Sequence, residues 1–97
     1  MSVSKWEGRY AVAADSVLVL APSRRPWSLG IALLGSGGYL CEVTATPAAE
    51  IDSETGEGAE WVPLEAGEAS DLITCDYPVT AIRVALTDAP AAVSLTS

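Results

Sequence analysis

Hydrophobic and polar residues alternate with a period of two along most of this chain, which is the pattern of half-buried β-strands. Residues 39–46 show it clearly, with Tyr39, Cys41 and Val43 on one face, and residues 79–87 repeat it. No segment carries a 3.6-residue period over three helical turns. The alternating runs, separated by turn residues, predict eight short strands at residues 10–13, 16–20, 27–34, 39–46, 61–64, 71–75, 79–87 and 91–96.

This spacing of strands and turns predicts an all-β fold, either an antiparallel β-sandwich or a small barrel, Ig-like or jelly-roll-like, with about seven to eight strands. The 97 residues fit one domain, residues 1–97. Residues 1–8 lack a convincing strand and are predicted to form an extended N-terminal arm. Residues 47–60 are predicted to form a long, mobile acidic loop, with at most one helical turn at residues 47–50.

The pattern also predicts how some strands are placed. Gly35, Gly37 and Gly38 supply a turn between residues 27–34 and 39–46, so these two strands are predicted to form a β-hairpin. Pro63 cannot donate a ladder hydrogen bond, so the strand at residues 61–64 is predicted at a sheet edge or a strand end.

The charge of the chain is negative and unevenly distributed. There are 13 acidic and 5 basic residues, and the net charge is −8. Residues 50–97 carry ten of the acidic side chains and a single basic one, Arg83. Phosphate groups and anionic membranes are bound by clustered Lys and Arg, so neither nucleic acid nor a membrane is expected as a partner. The acidic half is expected to face solvent, and the other half to dock.

Catalytic chemistry is not predicted. The chain has no histidine, so a serine lacks its usual base and two cysteines cannot complete a zinc site. No secretory signal or membrane-length apolar run is visible, so Cys41 and Cys75 are expected as cytoplasmic thiols, with Cys41 buried and inert. Residues 52–57 weakly resemble a calcium loop, but glycine falls at the fifth position, where an EF-hand needs a ligand. We therefore predict no enzyme, no cofactor and no metal site.

Four aromatic residues are candidates for a sugar-binding platform, although packing in the core or on a sheet suits them better. They are Trp27, Tyr39, Trp61 and Tyr77.

Basic residues are the predicted partner-binding residues. Arg24 and Arg25 form the one basic pair and lie between two prolines that stiffen the loop, so this loop is expected to pair with an acidic surface. Lys5 and Trp6 lie in the predicted arm, which is expected to become ordered on a neighbouring subunit.

Three segments of the chain resemble small structural proteins of tailed bacteriophages. They are Pro-Trp-Ser-Leu-Gly-Ile at residues 26–31, Ala-Glu-Trp-Val-Pro-Leu at residues 59–64, and Tyr-Pro-Val-Thr-Ala-Ile-Arg-Val at residues 77–84, followed by a closing strand at residues 92–95. The resemblance implies a non-enzymatic virion protein assembled in the host bacterial cytoplasm. It implies a capsid decoration (cement) protein that binds the major capsid protein on the outside of the phage head and associates with itself, for example as a trimer. It assigns no residue-level site.

A second interpretation of the sequence is a receptor- or carbohydrate-binding β-sandwich module of a phage tail or head fibre. It depends on the four aromatic residues and on the long acidic loop.

Overall fold

Alternating apolar residues form eight strands in the computed structural model, which describes residues 8–22 and 26–96. The strands are β1 (Gly8–Val12), β2 (Val17–Leu20), β3 (Trp27–Leu33), β4 (Gly38–Thr44), β5 (Val62–Gly67), β6 (Asp71–Cys75), β7 (Ala81–Thr87) and β8 (Ala91–Thr96). A single turn of 3₁₀ helix, Ala48–Glu50, follows Pro47. The predicted strands are therefore found within a few residues of their predicted bounds.

The strands form two four-stranded antiparallel sheets. Sheet A has the order β1-β8-β3-β6, and sheet B has the order β2-β7-β4-β5. Strand pairs are nested along the chain, since β4 pairs with β5, β3 with β6, β2 with β7 and β1 with β8. This nested pairing rolled into two facing sheets is the jelly roll. The all-β sandwich prediction is confirmed, and the topology is its jelly-roll form.

The predicted hairpin between residues 27–34 and 39–46 is wrong. Strand β3 lies in sheet A and β4 in sheet B, so the glycine-rich segment between them crosses from one sheet to the other. Gly37 is needed at this crossing because a Cβ there would overlap the Thr87 carbonyl oxygen. The Leu34 N–H donates to the Pro90 carbonyl at 2.9 Å, so the crossing is held by the turn before β8.

The core lies between the sheets and is filled by the inward positions of the alternation. Trp27 is its largest side chain and is 1% exposed. Tyr39, Cys41 and Val43 are buried on one face of β4 as predicted, and Val93 and Leu95 are buried in β8. Strand β5 is an edge strand of sheet B, which confirms the edge position predicted from Pro63.

Candidate protein-binding surfaces

The outer face of sheet B, here called the B face, carries an ion pair at its centre. The register places Val19, Arg83, Glu42 and Pro63 in one row across the four strands. The Arg83 Nε and Nη2 donate to Glu42 Oε1 at 2.9 and 2.5 Å. A half-buried arginine held in this way has a fixed orientation, so another side chain can stack on its guanidinium group.

The residues that pack above Arg83 come from the chain's own loop. The Arg83 guanidinium carbon lies 4.6 Å from the ring centroid of Trp61, within cation–π range. The Trp61 indole N–H donates to the Gly56 carbonyl at 2.7 Å. Gly56 is buried, and a Cβ on it would press against the Trp61 ring and the Arg83 side chain. The acidic loop therefore folds back onto the B face and covers part of it.

Asp52 shapes the tip of this loop. Its Oδ1 accepts the backbone N–H groups of Glu54 and Thr55 at 2.8 and 3.0 Å, and these bonds lower the pKa of Asp52. In a calcium loop this carboxylate would bind the cation. Here its oxygen accepts backbone N–H groups and so stabilises a turn. In the described part of the chain, no three His, Cys, Asp or Glu side chains are grouped so as to hold a metal ion.

Hydrogen bonds of two threonine side chains stabilise the base of the same loop. Thr80 Oγ1 donates to the carbonyls of Thr44 and Thr46 at 3.0 and 2.5 Å. The Glu60 N–H donates to Thr46 Oγ1 at 3.0 Å. The segment predicted as a mobile loop has, in the structure, hydrogen bonds at its base, at its tip and to Trp61.

A second part of the B face is open. Beyond the covered region lies a shallow depression of about 800 Å³, here called the acidic depression. Leu40, Ala66 and Ala85 lie side by side across its floor, since the register joins them in one row. Glu68 and Asp88 stand at its rim and are exposed. This site combines an apolar floor with carboxylates at the edge.

The outer face of sheet A, here called the A face, has a different chemistry. Arg9, Ser94, Gly30 and Leu72 form a row across its strands. The outward positions of the described strands there are Arg9 and Ala11 in β1, Ala92, Ser94 and Thr96 in β8, Ser28, Gly30 and Ala32 in β3, and Leu72 and Thr74 in β6. No carboxylate occurs among them, and Leu72 is 68% exposed. A trough of about 620 Å³ lies over Gly30, between Arg9 and Leu72, and Asp71 of the edge strand β6 also lines it.

A hydrogen bond joins the two sheets at the side of β6. The Tyr39 hydroxyl of sheet B donates to Asp71 Oδ2 of sheet A at 2.6 Å. This bond lowers the pKa of Asp71, and burial together with the Asp71 carboxylate raises the pKa of Tyr39. Asp71 Oδ1 also accepts the N–H of Leu72 at 2.8 Å.

The predicted partner-binding residues Lys5, Trp6, Arg24 and Arg25 all lie outside the described residues, as does most of the predicted arm. Their role therefore stays a prediction.

The four aromatic candidates are not brought together on one face. Trp27 and Tyr39 are buried in the core, at 1% and 4% exposure. Trp61 is stacked on Arg83. Tyr77 is exposed, in the turn after β6. Among the described residues, no aromatic platform for a sugar ring is therefore formed.

The two cysteines occupy the same core cluster, Cys41 from sheet B and Cys75 from sheet A, and both are free thiols. Burial raises the pKa of the Cys41 thiol to about 12. The burial of Cys41 confirms that part of its prediction, and a raised pKa favours the protonated thiol at neutral pH.

Sequence reasoning missed the A face and the Arg83–Glu42–Trp61 cluster. The outward residues of the predicted strands carried a signal, since they are small and uncharged in strands β3 and β8. Their placement side by side depends on the order of strands in the sheet, which the alternation does not give.

Comparison with protein-family models, with curated proteins and with solved structures gives no match. The resemblance to phage virion proteins therefore depends on the sequence segments alone. Over the described residues, no helix has the length and apolar character needed to cross a membrane.

Proposed function

We propose that this chain is a non-enzymatic structural protein of a bacteriophage particle, bound in many copies to the major capsid protein on the outside of the head. The observation that carries the proposal is the A face, whose outward strand positions in the described residues carry no carboxylate and are mostly small side chains. Small side chains let the backbone of a partner come close over a wide, flat area, as an assembled shell requires. A surface whose outward strand positions lack acidic side chains, on a chain of net charge −8, favours contact with a second protein surface.

The fold supports this proposal by analogy only. Jelly rolls occur in viral capsid proteins and also in lectin domains, and one fold hosts many functions. The aromatic residues of this chain distinguish between a capsid-protein function and a lectin function. A lectin-like site needs exposed rings on one surface, whereas the described rings of this chain are mostly used in its own packing. Protein binding is therefore the better-supported function.

The proposal is tested by the copy number of the protein in purified phage particles. Quantitative mass spectrometry is expected to give hundreds of copies per particle, in fixed ratio to the major capsid protein. A dozen copies or fewer would instead indicate a tail or neck protein. Saturable binding of the purified chain to a glycan array, lost in Trp61→Ala, would replace the proposal with the carbohydrate-binding alternative.

The face used for binding is tested with particles that lack the protein. Purified variants are added back, and occupancy is measured by sedimentation of the particles. Ala92→Glu and Gly30→Glu place a charge on the A face and are expected to weaken binding strongly. Ala49→Glu places the same charge on the exposed 3₁₀ turn, outside the trough and the acidic depression, and is expected to bind as the original chain does. Equal loss in all three variants would exclude the A face as the docking surface.

A further inference from the structure

We propose that the acidic depression on the B face binds Lys5 and Trp6 of a second copy of this chain, so that copies associate head to tail. The proposal concerns self-association of the purified chain and does not depend on the phage-head proposal. It gives a use to a part of the B face that the acidic loop leaves open.

The floor of the depression suits an aromatic side chain. Leu40, Ala66 and Ala85 present a flat apolar strip, with Gly38 and Gly67 beside it. An indole placed on such a strip removes ~150–250 Å² of apolar surface from water. Trp6 is one of three tryptophans in the chain, and the other two are engaged in the core and on Arg83.

The rim of the depression suits a cation. Glu68 and Asp88 border it, and Asp15 stands next to Asp88, whose backbone N–H it accepts at 3.0 Å. Of the two arginines in the described ranges, Arg83 is paired with Glu42 and Arg9 lies on the A face. The three carboxylates therefore have no basic side chain of the described part nearby. Lys5, adjacent to Trp6 in sequence, carries the complementary charge.

The geometry favours a second copy over the chain's own arm. Gly8 pairs with Leu95 near the end of β8, whereas the depression lies at the opposite end of the strands, beside Gly38 and Thr87. The two places are separated by ~13 Å along β1 and by ~10 Å across the two sheets. Trp6 precedes Gly8 by two residues in sequence, and two residues of extended chain span at most ~7 Å. A connection of that length is too short for Trp6 to reach the depression of its own copy.

The resulting interface is heterologous, because the arm of one copy meets the depression of the next. Such interfaces close into rings or extend into filaments, according to the rotation between copies. A trimer, as the sequence resemblance implies, is the smallest common ring of this kind.

The first experiment measures self-association by sedimentation velocity of the full chain, in ~0.15 M salt, where the repulsion between acidic copies is screened beyond ~8 Å. The chain is expected to associate as its concentration rises. Trp6→Ala, Lys5→Glu and Glu68→Lys are each expected to weaken association at least tenfold, on the order of a hot-spot loss. Glu57→Lys makes the same charge change on the acidic loop and is expected to have no such effect.

The second experiment uses the head-to-tail geometry. A Trp6→Ala chain retains its depression but lacks the ring of its arm, and a Glu68→Lys chain retains its arm. Mixed, they are expected to form one-to-one dimers and nothing larger, although each alone stays monomeric. The double variant Lys5→Glu/Glu68→Lys is expected to associate again, because the charges are exchanged.

Three results would overturn the proposal. The first is a chain that remains monomeric at ~1 mM, above the range of specific association. The second is loss of association in Glu57→Lys together with retention in Glu68→Lys, which would assign Lys5 to the acidic loop. The third is a mixture of the two single variants that forms no dimer.

Discussion

The two outer faces of the sandwich come from the same alternation of residues, yet within residues 8–22 and 26–96 a loop of the chain covers part of the B face and none covers the A face. On the B face, Glu42 fixes Arg83, Arg83 carries Trp61, and the loop folds over them. On the A face, the outward residues are small, and Leu72 is exposed. The difference shows two uses of a sheet surface: packing against the chain's own loop, and exposure to the proposed partner. We therefore expect residues of the B face to stabilise the fold, and residues of the A face to be replaceable with little effect on stability.

The largest effect on stability is expected from adding a side chain at Gly58, in the turn of the acidic loop. Gly58 has a φ of +95°, and a Cβ on it would overlap the Glu50 carbonyl oxygen. Gly58→Ala is therefore expected to lower the free energy of unfolding by roughly 3 kcal/mol, measured by denaturant titration. Gly35→Ala is the control, since its Cβ would make an ordinary 3.5 Å contact with Ala89. Equal stability of the two variants would mean that the cover of the B face contributes nothing.

A smaller effect is expected from removing the ring that the loop packs on. Trp61→Ala removes the indole hydrogen bond to Gly56 and the stacking on Arg83. The expected loss is about 2 kcal/mol, less than for a fully buried tryptophan because Trp61 is half-buried. Leu72→Ala on the A face is the matched control and is expected to change stability by less than ~0.5 kcal/mol. A larger loss in Leu72→Ala would contradict the comparison of the faces.

A pH-dependent effect is expected where the sheets are joined by Tyr39 and Asp71. The folded-state pKa of Asp71 is lowered, so the stability it contributes is present above its unfolded pKa of about 3.9 and is lost as pH falls through the lower folded value. Tyr39→Phe is therefore expected to lower Tm at pH 7 and to lose this difference from the original chain as pH falls below ~4. A Tm difference that is constant from pH 7 to pH 2 would show that lost packing, and not the Asp71 bond, is responsible.

The smallest effect on stability is expected at the trough of the A face. A Cβ on Gly30 would approach only the Ser94 Cβ, at 4.0 Å. Gly30→Val is expected to leave stability unchanged or to raise it by ~0.5 kcal/mol, because β-branched residues suit strands better than glycine. It fills the trough, so binding to phage particles is expected to weaken. Ala49→Val on the exposed 3₁₀ turn is the control for that binding measurement.

Much of this fold was predictable from the alternation, because burial of one strand face imposes a period of two. The inward residues of β4, β7 and β8 follow from it directly. Strand partners do not follow, since glycine-rich turns join strands within a sheet or between sheets equally well. The segment from Gly35 to Gly38 is a crossing for this reason, although its composition is that of a hairpin turn.

The candidate surfaces were less predictable than the fold. Asp52 had the spacing of a calcium ligand, but the same residues build a turn in which the carboxylate accepts backbone N–H groups. Trp61 was predicted in an edge strand, whereas it precedes β5 and lies on Arg83, a residue 22 positions later in the chain. Contacts of this kind depend on tertiary placement, and local patterns do not encode it.

The nested strand pairing has a consequence for the rate at which this chain folds. The first strand, β1, pairs with the last, β8, so nearly the whole described chain must be brought together before that ladder forms. The pair β4–β5 closes the shortest loop of the nest and has the lowest entropic cost of closure. Folding is thus expected to proceed outward from β4–β5, and a topology so dominated by distant pairs belongs among the slow-folding small domains. During synthesis, β1 waits unpaired until β8 has left the ribosome.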